Sequence, residues 1–199
     1  MRKIKVLTFI SIDGVMQAPG GPEEDPEGKF NMGGWSVGYW DEMMNSVMSE
    51  QMGHPFDLLL GRKTYEIFAK YWPTSTEPGA DALNRAKKYV ASRTLKHLEW
   101  KNSVLLGKEI VPEIKNIKGQ EGPELQVHGS SNLVQTLLKN DLVDEFLLKV
   151  FPVTIGPGKR LFGEGTIPAS FKLTKIQSSP SGVIIASYTR DGAIKLGSF

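Results

Sequence analysis

Apolar and polar residues alternate at the start of residues 3–11 (KIKVLTFIS) and then merge into a continuous apolar run, the pattern of a strand entering a sheet covered on both faces. Ser11-Ile12-Asp13-Gly14 ends that strand in a turn. Over residues 15–34 periodicity disappears. The stretch is dense in Gly, Pro and acidic residues and reads as a long loop, of a length that marks lids over sites. Trp40, Met43, Met44, Val47, Met48 and Met52 then share one helical stripe that stops at Gly53, and the methionine-rich face reads as core. Residues 57–60 (DLLL) form a short buried strand leading into Gly61-Arg62-Lys63-Thr64, with Tyr65, Phe68, Ala69 and Trp72 on a helical face behind.

The same strand, turn, helix grammar returns later. A short helix over 80–87 precedes a strand over 88–91 that closes at Ser92-Arg93-Thr94. A strand over 103–106 and a helix over 111–117 follow. Leu125 and Val127 lead to Gly129, Ser130 and Ser131, after which Leu133, Val134, Leu137 and Leu138 recur on one helical face. The chain ends in strands alone: 146–152, a Gly-rich connection over 155–162, and a hairpin of 171–178 with 183–190 around Pro180-Ser181-Gly182. This order predicts one α/β domain over residues 1–199, with a mostly parallel sheet and an antiparallel edge.

Composition narrows the function. The 199 residues suffice to bury about 70% of the unfolded surface in one core. The absence of cysteine excludes a disulfide framework, a thiolate metal site and a cysteine nucleophile. Net charge is only +2 and the lysines are scattered, which speaks against a nucleic-acid partner. The apolar run after Lys5 is too short for a signal peptide and no run is long enough to span a bilayer, so a cytoplasmic protein without a membrane partner is expected. His54, His97 and His128 form no metal-ligand spacing with one another or with carboxylates, so no metal is expected.

Three strand ends carry anion-binding residue types. At Gly129 the missing Cβ leaves backbone amides open to a ligand, and Ser130 or Ser131 can cap the helix that starts there. Gly61 permits the same approach, with Thr64 to bond an oxygen and Arg62 or Lys63 to meet a phosphate. Ser92 and Arg93 stand at a third end. In open α/β sheets ligands bind beyond the carboxyl ends of the strands, so the three turns describe one extended ligand with several phosphates.

On these residues the chain resembles the dihydrofolate reductase superfold, in the branch of the reductase domain of the bacterial bifunctional deaminase-reductase of riboflavin synthesis. The resemblance rests on Phe9-Ile-Ser-Ile-Asp-Gly-Val15, on Leu58-Leu-Leu-Gly-Arg-Lys-Thr-Tyr-Glu66, on Ser92-Arg93 and on Val127-His-Gly-Ser-Ser-Asn-Leu133. Leu142-Val-Asp-Glu-Phe-Leu-Leu148, leading through Pro152 and Gly156-Pro-Gly158 to Leu161-Phe162, extends it over nearly the whole chain. It implies a three-layer fold and NADPH as cofactor, its phosphates on Gly61, Arg62, Lys63, Thr64, Ser92 and Arg93 and its pyrophosphate on Gly129, Ser130, Ser131 and Asn132. It implies reduction of a small substrate, with 5-amino-6-(5-phosphoribosylamino)uracil as the family's named one. A homodimer paired through the late strands is implied too, and the apolar run at 146–151 agrees with it.

Two positions depart from the family pattern. Relatives usually carry Gly-Gly where this chain has Gly129-Ser130, which puts a cis peptide there in question. Where dihydrofolate reductases place an acid on the first helix, Asn45 stands near the corresponding position, which disfavours folate reduction. The zinc signature of a deaminase is also missing. Hydride transfer needs few side chains beyond alignment and a proton source. Asp13, in the turn after the first strand, is the first candidate donor and Asp41 the second, with Phe30 and Trp35 as walls of the substrate pocket. The competing expectation is a dinucleotide-binding protein without turnover, serving sensing or assembly.

Overall fold

The structure is a computed structural model describing residues 1–198. In chain order its elements are β1 (Ile4–Ser11), α1 (Glu42–Met52), β2 (Phe56–Gly61), α2 (Arg62–Tyr71), α3 (Ala80–Arg85), β3 (Lys88–Ala91) and β4 (Ser103–Leu106). They continue as α4 (Ile110–Gly119), β5 (Glu124–Val127), α5 (Ser131–Lys139), β6 (Glu145–Phe151), β7 (Phe171–Ser178) and β8 (Ile184–Arg190). The strands form one sheet in the order β4-β3-β2-β5-β1-β6-β8-β7. The pairings from β4 to β6 are parallel, and β8 and β7 add the antiparallel edge.

Strand β1 sits inside the sheet because both its faces are apolar. Ile4, Val6 and Ile10 pack with Ile114 and Ile117 of α4 and Leu133, Val134 and Leu137 of α5. Leu7 and Phe9 turn the other way, with Met44 and Val47 of α1 and Leu147 and Phe151 of β6. Helices α2 and α3 extend that second layer, setting Tyr65 and Leu83 against Leu58, Leu60 and Val90. Each fully buried Leu, Ile or Val in these layers contributes about 1.5–3 kcal/mol relative to exposure. The three-layer α/β fold implied by the sequence is the one observed.

Two expectations change. The methionine stripe of α1 divides: Met44 is core, whereas half-buried Met48 and Met52 line a cavity. The apolar run at 146–151 is not a pairing surface, because β6 lies between β1 and β8 and its Phe146, Leu148 and Phe151 are buried within this chain.

The parallel order places the carboxyl ends of β1, β2, β3, β5 and β6 along one edge of the sheet. Residues 15–34 fold over that edge with only a single 3-10 turn at Glu27–Lys29. Gln17 ties the loop together, donating from Nε2 to the carbonyls of Asp25 and Glu27 at 2.9 Å each, while its Oε1 accepts from the Lys159 amide at 3.0 Å. Lys159 Nζ reaches Asp25 and Glu27 at 2.6 Å each. The Gly-rich connection after β6 thus straps the loop in place.

Candidate active site

The turns after β2 and β5 lean on each other. Gly61 N donates to Gly129 O at 3.1 Å. A Cβ on Gly61 would stand 2.1 Å from Ser130 Oγ and 2.9 Å from Ser130 N, and one on Gly129 would stand 2.5 Å from Thr64 Oγ1. Gly129 also has φ +149°, so both turns require glycine for closeness and one for conformation as well. The Gly129–Ser130 peptide is cis, so serine in place of a second glycine does not prevent that geometry. Ser130 occupies the N-cap of α5 but makes no side-chain cap bond, contrary to the expected capping, and Gly61 at the N-cap of α2 has no side chain to offer. Two helix N-termini therefore present first-turn amides side by side, where an anion gains from both sets of N–H groups and both dipoles.

These amides open onto a cavity of about 370 Å³. Arg62, Lys63, Thr64, Gly129, Ser130, Ser131 and Asn132, all expected from the sequence to bind phosphates, are part of its lining. Among the described residues Arg62 pairs only with exposed Glu66, at 3.0 Å, an i,i+4 contact worth little and easily exchanged for a phosphate. Phe9, Trp40, Met48, Met52, Phe68 and Trp72 give the cavity its apolar lining. Met16 to Gly20, Glu24, Asp25 and Glu27 bring the long loop over the top. Ser92 and Arg93 lie at the end of β3 outside the cavity lining. The Ser92 hydroxyl accepts from the Thr94 and Leu95 amides at 3.2 and 3.0 Å, and Arg93 is exposed.

Residues 2–185 match the model of the RibD C-terminal domain. The chain belongs to the RibD C-terminal domain family. Among curated proteins it is similar to the uncharacterized protein YyaP of Bacillus subtilis (strain 168), 29% identical over 140 residues, covering 68% of this chain and 74% of the relative. The uncharacterized protein YwjB of the same strain is 35% identical over 57 residues, covering 29% of this chain and 33% of the relative. Among solved structures, a putative riboflavin biosynthesis protein from Shewanella sp. PV-4 superposes with a TM-score of 0.66 at 22% identity, covering 95% of this chain and 99% of that one. A pyrimidine reductase-like protein from Corynebacterium diphtheriae gives 0.65 at 14% identity, with 96% and 92% covered. Dihydrofolate reductase from Enterococcus faecalis, complexed with NADP(H) and RAB-propyl, gives 0.58 at 15%, with 95% and 96% covered. At these identities the solved structures establish the fold.

In this RibD C-terminal domain both expected proton donors have other duties. Asp13 accepts from Ser11 Oγ at 2.6 Å, Gly156 N at 2.8 Å and Ile155 N at 3.0 Å, and those bonds, the serine's foremost, hold its carboxyl at about 2. It fastens the β1 turn to the connection after β6, outside the cavity lining. Asp41 is the N-cap of α1, accepting from Met44 N at 3.0 Å, and this bond above all keeps its carboxyl low. Phe30 and Trp35 are not pocket walls either. Phe30 is buried with Val15 and Ala18, and Trp35 packs on Phe151 with Nε1 donating to Gln17 O at 2.8 Å, so both support the loop from behind. Asn45 accepts from Trp40 Nε1 at 2.7 Å on the exposed side of α1.

Beside His128, the cavity holds Lys149 and Glu24, which sequence reasoning did not single out. Lys149, 1% exposed, projects from β6 with its Nζ donating to Gln51 Oε1 of α1 at 2.8 Å and lying 5.3 Å from the Phe9 ring centre. Burial, with Lys5 adding repulsion, pulls its ammonium down to about 7. His128 packs on Phe68 and meets Gln126 Oε1 at 3.2 Å, and desolvation followed by Lys149 lowers it to about 3, a neutral structural ring. Glu24 is raised by burial, against bonds from the Gly20 and Gly21 amides. The one signal for Lys149 was a lone charge within the apolar run FLLKVFP. Among the described residues no group of three or more His, Asp or Glu is placed to hold a metal ion, and no helix is long and apolar enough to cross a membrane.

Proposed function

We propose that this chain is an NADPH-dependent reductase of a small substrate bearing a carbonyl or imine, with 5-amino-6-(5-phosphoribosylamino)uracil the first compound to test. The observation that carries this reading is the pair of uncapped helix N-termini, locked together at two glycines with no room for a Cβ, opening onto an apolar cavity under a strapped loop. That cradle fits a dinucleotide. The amides of Ser131 and Asn132 would hold a pyrophosphate, Arg62, Lys63 and Thr64 a neighbouring phosphate, and Arg62 with Arg93 the additional 2′-phosphate that separates NADPH from NADH. A reduced nicotinamide bound there supplies hydride to the substrate. The chain's own part is to orient the reacting groups between Phe9, Trp40 and Phe68, to exclude water with residues 16–27, and to deliver a proton. The Arg–phosphate contacts contribute charge-assisted hydrogen bonds that NADH lacks.

A second reading, a dinucleotide-binding protein without turnover, draws on the absence of Asp13 and Asp41 from the cavity. Both readings predict NADPH binding and they separate on oxidation. Substrate-dependent loss of reduced-nicotinamide absorbance with 5-amino-6-(5-phosphoribosylamino)uracil and a panel of carbonyl compounds supports the reductase. Tight NADPH binding with no oxidation across the panel supports the binder. A cytoplasmic homodimer belongs to the same proposal and now rests on the family resemblance; a monomeric solution mass contradicts it.

A further inference from the structure

A lysine buried among apolar side chains needs acceptors for its three N–H bonds, or a reason to lack them. Lys149 Nζ has one protein acceptor, Gln51 Oε1, and no carboxylate pairs with it among the described residues. Gln51 is itself buried, and among the described residues its Nε2 has no partner while its Oε1 accepts from the lysine. Both side chains line the cavity that takes the proposed substrate, and the Phe9 face beside Nζ keeps that wall apolar. The spare N–H bonds of Lys149 thus open onto the one place where a bound molecule can supply an acceptor.

We infer that Lys149 donates the proton that completes reduction and that Gln51 is the positioning residue holding its ammonium in the cavity wall. This rests on the reductase reading above. As the carbonyl or imine carbon of the substrate gains a hydride, the π electrons move to its oxygen or nitrogen. That atom takes a proton from Lys149 Nζ. The lysine is left neutral and recovers a proton from water, and the reduced nicotinamide that supplied the two electrons leaves oxidised. An ammonium in an apolar wall also stabilises the negative charge as it develops, and a group titrating near the working pH transfers its proton most effectively.

The groups around Lys149 set its titration. On β1, Lys5 disfavours the charged form. Beyond β5, His128 is neutral through the physiological range. Gln51 is the contact from α1, and the paired residue on β8 is apolar Ile185. Across the cavity stand Arg62 and Lys63 from α2, and Glu24 with the Lys159–Asp25–Glu27 cluster from the loop. Glu24 is the rival donor, but its carboxylate is bound at 2.6 Å to Gly20 N in its own loop.

The test combines NMR titration of lysines labelled at Cε, with Lys149 assigned by its loss in Lys149→Met, and the pH profile of NADPH oxidation with 5-amino-6-(5-phosphoribosylamino)uracil. Lys149 is expected to titrate near 7, with surface lysines above about 9. Turnover should fall on the alkaline side of the same midpoint. Lys149→Met should lose about 100-fold or more in kcat while calorimetry shows NADPH binding at wild-type affinity. Gln51→Glu should move both the resonance and the alkaline limb to higher pH, and Gln51→Leu to lower pH, shifts that a merely structural role would not produce. Glu24→Gln should leave the limb in place. A Lys149 that titrates with the surface lysines overturns the proposal whatever the turnover, as does a limb that follows Glu24→Gln. Wild-type rates in Lys149→Met remove this proposal alone, whereas a wild type that binds no NADPH removes the reductase reading with it.

Discussion

Lys88 and Lys149 are both shut away from solvent, at 0% and 1% exposure, yet their surroundings differ in kind. Lys88 Nζ donates to the carbonyls of Asn84 at 2.7 Å and Lys101 at 3.1 Å and lies 4.1 Å from the Trp100 ring centre. Burial lowers it to about 8, but its bonds are spent on joining the end of α3 to the turn before β4. Lys149 has one amide oxygen, a phenyl face and a cavity. Burial and a lowered pKa are therefore common to a structural lysine and a candidate catalytic one. What separates them is the number of donors left over and what those donors face.

The sharpest break in that comparison is between Lys149→Met and Lys88→Ala. The first should abolish most turnover and leave urea unfolding cooperative. The second should retain turnover to within about threefold while costing about 2–4 kcal/mol in urea unfolding, because a packed stem is removed and two part-buried carbonyls each lose a hydrogen bond. Gly61→Ala comes next. With Ser130 Oγ and N inside the space of the new methyl, the two turns must part, at about 1–3 kcal/mol of stability and about tenfold or more in NADPH affinity by calorimetry.

A smaller effect sharpens the pairing through pH. Both lysines have folded pKa values below the unfolded value, so between about 7 or 8 and about 10.5 the unfolded chain binds more protons than the folded one. Stability should rise with pH across that window, each group adding at most about 1.4 kcal/mol per pH unit. Urea unfolding at pH 7, 8 and 9 should show the rise, and Lys149→Met should remove about half of the slope. Smallest of all, Asp13→Asn should leave kcat unchanged within about twofold and weaken the join between the β1 turn and the connection after β6, seen as a lower Tm at neutral pH.

Much of this molecule was legible because its signals are local. The β2 and β5 turns announce themselves through glycine followed by Arg-Lys-Thr or Ser-Ser-Asn, and the parallel order of the sheet follows from strands separated by helices. The closing hairpin follows from Pro180-Ser181-Gly182 between strand-like runs. The rest depends on contacts no local pattern encodes. Lys149 and Gln51 are 98 residues apart and meet because β6 and α1 pack on the same face of the sheet. Phe30 and Trp35 have the composition of pocket walls, but the direction in which residues 15–34 fold, fixed by Gln17 and Lys159, turns them inward behind the loop. Asp13 stands at the right strand end for a proton donor, and only the amides of Ile155 and Gly156, far along the chain, show what it holds.

The most direct measurement is calorimetric titration of the wild type, and of the variant combining Arg62→Ala with Arg93→Ala, with NADPH and with NADH. The expected result is tight NADPH binding, weaker NADH binding, and loss of most of that difference in the double variant. Absence of binding by either dinucleotide to the wild type would contradict the assignment of the paired helix N-termini as a cofactor site.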